Sequence, residues 1–314
     1  MDRCMTTMSL PLLMVAVIEL LLFRCDDAYF TIRPAAFIDA PALLRVPSRG
    51  KNCGARMLCG ERDTTWSNPS GKDLVEIVRG QVWAAERPFI WNSIDVGGRM
   101  AVVKLPDGSL WVHSPVQLDE PLRRALEELG PVGHIVSPNF EHVKYAQQWV
   151  KAFPSARSYG CPGLMERHPE VGFSREVGND PGDETPPEWG SEIETCFMDC
   201  ETNPFTGKPF FNEVVFFHRP TKALMTADLY WNYPTTVPAK TQVWKWGMDK
   251  ASIRVYLPFF KRFMVTDDRA LAARVNRILD WGIDVIIPCH GDVVRSGASQ
   301  ALRERLLGAG PIQR

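Results

Sequence analysis

Several kinds of chemistry have sequence signatures that this chain does not contain. No CxxC pair occurs among its eight cysteines, which removes the usual zinc knuckle and the dithiol redox motif. There is no glycine-rich phosphate loop and no G-x-S-x-G nucleophile elbow, so neither a P-loop nucleotide enzyme nor an α/β-hydrolase is indicated. An excess of charge of one sign is also lacking: 36 Lys and Arg stand against 37 Asp and Glu, a net charge of -1. Nucleic-acid binding needs a concentrated basic surface, and none stands out, so no nucleic-acid partner is expected. No internal repeat is present, and no apolar run reaches the ~20 residues that span a bilayer.

What the chain does have suits one large core. Hydrophobic residues make up 45% and charged residues 23% of 314, which is ordinary for a globular domain. Four cysteines fall in the part expected to fold, Cys161, Cys196, Cys200 and Cys289. Scattered in this way, they read as reduced, buried thiols rather than a disulfide frame.

The first 60 residues read as an address. Residues 10–23 (LPLLMVAVIELLLF) are apolar, are interrupted by Glu19 and follow Arg3, which suits the core of a signal peptide cleaved after Ala28. Residues 29–60 then carry Arg33, Arg45, Arg49, Lys51 and Arg56 against one acid, Asp39. A basic, acid-poor stretch is what a transit peptide looks like. The order 1–28 signal-like and 29–60 transit-like resembles the two-part plastid leader of algae with secondary plastids, with secretion as the alternative. No stable membrane anchor is expected after processing. Residues 61–73 read as a linker, and 74–308 as a single domain.

Within that domain, residues 74–78 and 82–84 read as opening strands. Residues 99–105 and 110–113 form a hairpin around Pro106-Asp107-Gly108, where proline presets φ and glycine accepts positive φ. A helix over 118–129 starts at Asp119 and stops at Gly130-Pro131. After a strand at 135–136, Val143, Ala146, Val150 and Phe153 recur at helical spacing, predicting a helix over 142–153. Residues 157–159 read as a strand and 174–192 as a solvated loop. Residues 212–218 and 223–227 are strands, with His218 in a surface turn. Asp267 caps a helix, 284–287 is a buried strand and 300–307 a closing helix. Strands alternating with helices predict an α/β fold of sheets covered by helices.

Polar groups of metal-ligand type sit where these strands end: His113, Asp228 and His290, with the loop Ser137-Pro138-Asn139-Phe140-Glu141-His142 after the strand at 135–136. Imidazoles and a carboxylate are a reasonable set for zinc that leaves a position for water. This order of motifs, LWVHSPV, HIVSPNFEHV, LMTADL and IIPCHG, resembles the metallo-β-lactamase superfamily. Within it, the chain resembles a domain family of unknown function of plants, algae and cyanobacteria. The resemblance covers residues 74–307 and implies a single-domain αββα sandwich. A working metallo-β-lactamase loop reads T-H-x-H-x-D-H, whereas here only the closing pair, Glu141-His142, is kept. A two-metal site is therefore not expected.

One metal could still be held by His142, Asp228 and His290, with His113 nearby, as zinc, iron or manganese, or the site could hold no ion. Glu141 or Asp228 would then serve as catalytic base. Tyr230 to Trp246 is rich in tryptophan. As a lid it would place Trp231 and Trp246, with Asn139, in a substrate pocket; as core it would simply bury area. The first functional reading is a weak single-metal hydrolase of a small-molecule substrate. The second is a binding or scaffold protein with an unknown protein partner, because fold alone does not fix function. A third, using the cysteines or the tryptophan segment, is a redox or lipid-handling factor.

Overall fold

The computed structural model describes residues 64–91, 94–178, 185–203, 206–234, 237–238, 241–242 and 260–308. The expected leader segments, 1–28 and 29–60, and Trp244 and Trp246 lie outside the described residues. No helix among the described residues is long and apolar enough to cross a membrane.

Among the described residues the chain builds two main sheets, each with helices against it. In the first sheet, β1 (Val75–Val78), β2 (Val82–Arg87), β5 (Gly98–Lys104), β6 (Leu110–His113), β7 (Val132–Ser137), β8 (Arg157–Gly160) and β9 (Arg175–Glu176) lie side by side in that order. A two-residue pair, β3 (Ile90–Trp91) and β4 (Ile94–Asp95), stands apart. The second sheet runs β10 (Ile193–Phe197), β11 (Val214–His218), β12 (Ala223–Thr226), β13 (Val285–Pro288). The β6–β7, β7–β8, β8–β9 and β12–β13 pairs are parallel, and the rest are antiparallel.

The sequence pattern explains the layering. Strands buried on both faces read as continuous apolar runs, and β5 and β6 are such strands. In β5, Ala101 and Val103 face the second sheet, where Trp111, Val136, Tyr159, Phe216, Met225 and Ile287 complete the inner core. The alternate residues Met100 and Val102, with Leu110, Val112 and Ile135, face the other way. There they meet Leu122 and Leu126 of α1 (Glu120–Leu129) and Trp149 of α2 (Ala146–Ala152). On the second sheet, α4 (Asp268–Asp280) buries Leu271, Val275 and Ile278 and neighbours β10 and α5 (Ala298–Leu306). A short α3 spans Leu164–Arg167. The result is the αββα sandwich.

The caps and the hairpin follow their local signals. Asp119 accepts from Leu122 N at 3.1 Å and Asp267 from Arg269 N at 2.7 Å, each satisfying an orphan N–H of a helix start. Gly108 takes φ +85° in the hairpin turn, where Asp107 accepts from Ser109 N at 2.9 Å.

Three local expectations need correction. The helix expected from His142 starts only at Ala146, because the Asn139 side chain takes the backbone N–H groups of Glu141 and His142 and holds 139–142 as a turn. The stretch 174–192 is not only a solvated loop: it contains β9 and a 3-10 turn, Pro187–Trp189, whose Trp189 is fully buried. His218 is not on the surface but buried in β11, with Nδ1 2.8 Å from Thr221 Oγ1.

Beside Trp189 lies a polar chain at the start of β7 and β8. The Tyr159 hydroxyl donates to Glu188 at 2.8 Å and lies 3.1 Å from His134 Nδ1, while Arg157 pairs with Glu188 at 2.6 Å. Burial pushes the Glu188 carboxyl up, but hydrogen bonds from backbone, Tyr159 and Arg157 outweigh it and bring it down to about 2. A carboxylate with a depressed folded pKa contributes stability above its unfolded value, lost as pH falls toward the folded one. The stability gap between the parent and Glu188→Gln should therefore be full above about pH 5 and shrink as pH drops toward 2, read from thermal unfolding. A gap that does not vary with pH would remove Glu188 from this role.

Candidate metal centre

The site is assembled from chain segments that leave parallel strands at the same end. After β7, the turn at 139–142 presents His142. After β12, Ala227-Asp228-Leu229 presents Asp228. After β13, Cys289-His290-Gly291 presents His290. The ligand atoms of His142, Asp228 and His290 all lie within 4.8 Å of one another. His142 Nε2 is 3.4 Å from Asp228 Oδ2, and His290 Nε2 is 3.8 Å from Asp228 Oδ1. Ligands bonded to one tetrahedral ion at about 2.0–2.1 Å stand roughly 3.3 Å apart, so these separations fit a shared ion with little movement.

The far side of each ring supports the same assignment. Metal-bound histidines almost always use their second nitrogen on a hydrogen-bond partner that fixes the ring. His142 Nδ1 lies 2.7 Å from Ser114 Oγ, and His290 Nδ1 donates to the Gly97 carbonyl at 2.7 Å. The second bond fixes the proton on His290 Nδ1, so the Nε2 lone pair faces Asp228. The donor set and its supports thus fit a single divalent ion.

Electrostatics distinguish the three imidazoles nearby. Burial alone would lower His142, but Cys289 and Asp228 beside it outweigh burial and raise it well above its ordinary value. His290 is lowered to about 4 by burial and by the charge of His142, against the pull of Asp228. His113 is lowered to about 3, again by burial and then His142.

The structure does not bring every expected residue to this point. His113 is buried beside Trp111 at a ring separation of 5.9 Å, with Nδ1 4.0 Å from Cys289 Sγ. Its Nε2 has no hydrogen-bond partner among the described residues. It stands outside the group of three. Glu141 lies in the same turn as His142, its N–H donating to Asn139 Oδ1 at 3.0 Å. Asn139 is fully buried and donates to Asp228 Oδ2 at 2.8 Å. Trp231 is buried with Arg305 stacked on its ring at 4.5 Å. It lines a mainly apolar cleft, open to solvent, together with Met198, Leu229, Leu271 and Asp228.

Two site residues were not picked out by the sequence reading. Glu213, 2% exposed, accepts from Ala227 N at 2.7 Å, Asp228 N at 2.7 Å and Leu229 N at 2.8 Å. Burial, and then Asp228, push its carboxyl up to about 7. Nothing in EVVFFH separates this acid from any other that precedes a strand; only its distant partners do. Ser114, with φ +52°, could have been noticed as the residue after a strand ending in histidine.

Among the described residues, Cys161, Cys196 and Cys200 are free and buried. Burial pushes Cys161 and Cys200 up to about 12 and Cys196 up to about 11. These are not the low-pKa thiols that redox chemistry uses.

Comparison with known proteins agrees with this architecture. The solved structure of DIM-1 metallo-β-lactamase exposed to ceftazidime is similar over 76% of this chain and 97% of its own, with a TM-score of 0.51 and 12% identity. The metallo-β-lactamase FIM-1 from Pseudomonas aeruginosa, in its mono-zinc form, is similar over 80% of this chain and 99% of its own, with a TM-score of 0.50 and 12% identity. At such identities the likeness shows the fold alone. No curated protein matches the chain. A family model described as "Domain of unknown function (DUF4336)" matches residues 79–251, which include His142, Glu213 and Asp228 and stop short of His290. That match spans more than half of the chain, and the protein belongs to this family, on a metallo-β-lactamase-like fold.

Proposed function

We propose that the protein is a single-metal hydrolase. The observation that carries this reading is the convergence of His142, Asp228 and His290 within 4.8 Å, at a place where each ring is already fixed from behind. A divalent ion there would supply Lewis acidity, the property that makes water a nucleophile at neutral pH. Zinc, iron and manganese all suit two imidazoles and a carboxylate.

The chain's own residues divide the remaining work. Asp228 has Oδ2 engaged by Asn139 and near His142, and Oδ1 toward His290, so it acts as a ligand. Glu141 is proposed as the base from its place in the turn beside His142 alone. The apolar cleft beside Asp228, with Leu229 and Trp231 in its wall, would receive an apolar part of a small-molecule substrate.

The test uses the full-length protein. Its metal content is measured by mass spectrometry, and a panel of esters, thioesters, lactams and phosphodiesters is assayed with and without a chelator. About one equivalent of metal and chelator-sensitive turnover are expected. Metal-free protein that is folded and inert would sink the reading in favour of a scaffold with a protein partner.

A further inference from the structure

The loop that resembles T-H-x-H-x-D-H has Asn139 where the second histidine would stand. Read as a motif, this is a ligand lost. The contacts around Asn139 show a different use of the position. Its Oδ1 accepts from Glu141 N at 3.0 Å and His142 N at 2.9 Å, and its Nδ2 donates to Asp228 Oδ2 at 2.8 Å. One buried amide therefore touches both the backbone of one candidate ligand and the carboxylate of another. The same Nδ2 lies 3.5 Å from Glu213 Oε2.

Glu213 completes the arrangement from the other side. Its two carboxylate oxygens receive three successive backbone N–H groups, from Ala227, Asp228 and Leu229. A carboxylate taking three consecutive amides fixes the peptide planes that aim the middle side chain. Val214 N, next in sequence, donates to Pro138 O at 2.9 Å and ties the start of β11 to the Asn139 turn. Two loops from different sheets are thus locked together through Asn139 and Glu213, with Asp228 between them.

We infer that Asn139 and Glu213 are positioning residues for the metal centre, setting the orientation of the Asp228 carboxylate relative to His142. This rests on the single-metal reading above. Neither residue is a ligand. Asn139 acts by donating to Asp228 Oδ2, which fixes that oxygen and leaves Oδ1 turned toward His290. Glu213 acts through the backbone of the turn. Hydrogen-bond partners of metal ligands typically contribute about ten- to a hundredfold to metal affinity, and that is the size of effect assigned to each.

The experiment compares the full-length parent with Asn139→Ser and Glu213→Gln. Serine keeps a short acceptor for the His142 N–H but cannot reach Asp228, so it isolates the donated bond. Zinc affinity is measured by competition titration, the cobalt-substituted site by its visible absorption, and apo-protein folding by circular dichroism and thermal unfolding. The expected result for Asn139→Ser is a nearly unchanged apo protein, a ten- to hundredfold loss of zinc affinity and an altered cobalt spectrum. A purely structural role would lower apo stability while leaving affinity and spectrum as in the parent, and that result overturns the inference. Glu213→Gln places an amide NH2 against backbone N–H groups; where that variant does not fold, Asn139→Ser decides alone. A parent that binds neither zinc nor cobalt overturns this inference together with the single-metal reading, whereas a parent and variants that bind equally overturn this inference only.

Discussion

Replacing His290 with alanine is expected to remove essentially all bound metal from a protein that stays folded. Among the described residues three groups meet at the site, His290 being one of them, and a site reduced to His142 and Asp228 falls below the three protein ligands that even open catalytic zinc sites keep. The backbone that carries it is held without the imidazole. Gly291, at φ +85°, lies so close to Asn232 that an added Cβ would collide with its carbonyl. Asn232 N donates to His290 O at 3.1 Å, and Arg99 Nη1 donates to the carbonyls of Pro288, at 2.8 Å, and of Gly291.

The variant loses the Nδ1 bond to Gly97 O, and an unpaired buried carbonyl costs about 1–3 kcal/mol. Metal content by mass spectrometry and thermal unfolding of the same sample check both halves. The same exchange at His113 supplies the contrast. That ring lies outside the group of three, so His113→Ala should lower stability and leave metal content as in the parent. Loss of metal from His113→Ala, or its retention in His290→Ala, would mean that the ligands have been misassigned.

The contrast between these two histidines shows how far the sequence could be read. His113 and His290 both end apolar strands, and from spacing alone they are equivalent candidates. What separates them is the partner strand. β6 pairs parallel with β7 in the first sheet, and β13 with β12 in the second, and only the segment after β13 reaches Asp228. Strand ends, the Pro-Asp-Gly hairpin and the aspartate caps are local signals, and the structure places them where local chemistry predicts. The start of α2 is local in appearance but decided at long range. The apolar spacing from Val143 favours helix, yet the Asn139 side chain, itself bound to Asp228, takes the N–H groups of Glu141 and His142 and holds the chain as a turn. Glu213 illustrates the same limit, since an acid before a strand is ordinary until the Ala227–Leu229 turn closes over it. Trp189 was hidden by its neighbours: glycine, proline and acid around it give the composition of a loop, while its own side chain belongs to the core.

Trp189→Ala is accordingly expected to cost about 3–5 kcal/mol of unfolding free energy, the range for emptying a buried aromatic site. The indole is fully buried, with ring centroids 5.0 Å from Tyr159, 5.6 Å from Trp111 and 6.1 Å from Phe216. Edge-to-face pairs of this kind contribute beyond their area, and together they join strands of both sheets through a residue that no strand contains. The cavity would open near His134, whose ring lies 6.5 Å from the indole at the start of β7. From there to the turn after Ser137, at about 3.3 Å per residue, is on the order of 10 Å. Metal binding should thus survive while stability falls. Denaturant unfolding at constant slope, together with metal content, separates the two effects. A loss under about 0.5 kcal/mol, the range of surface substitutions, would show that Trp189 lies on the surface and that the two sheets are held together without it.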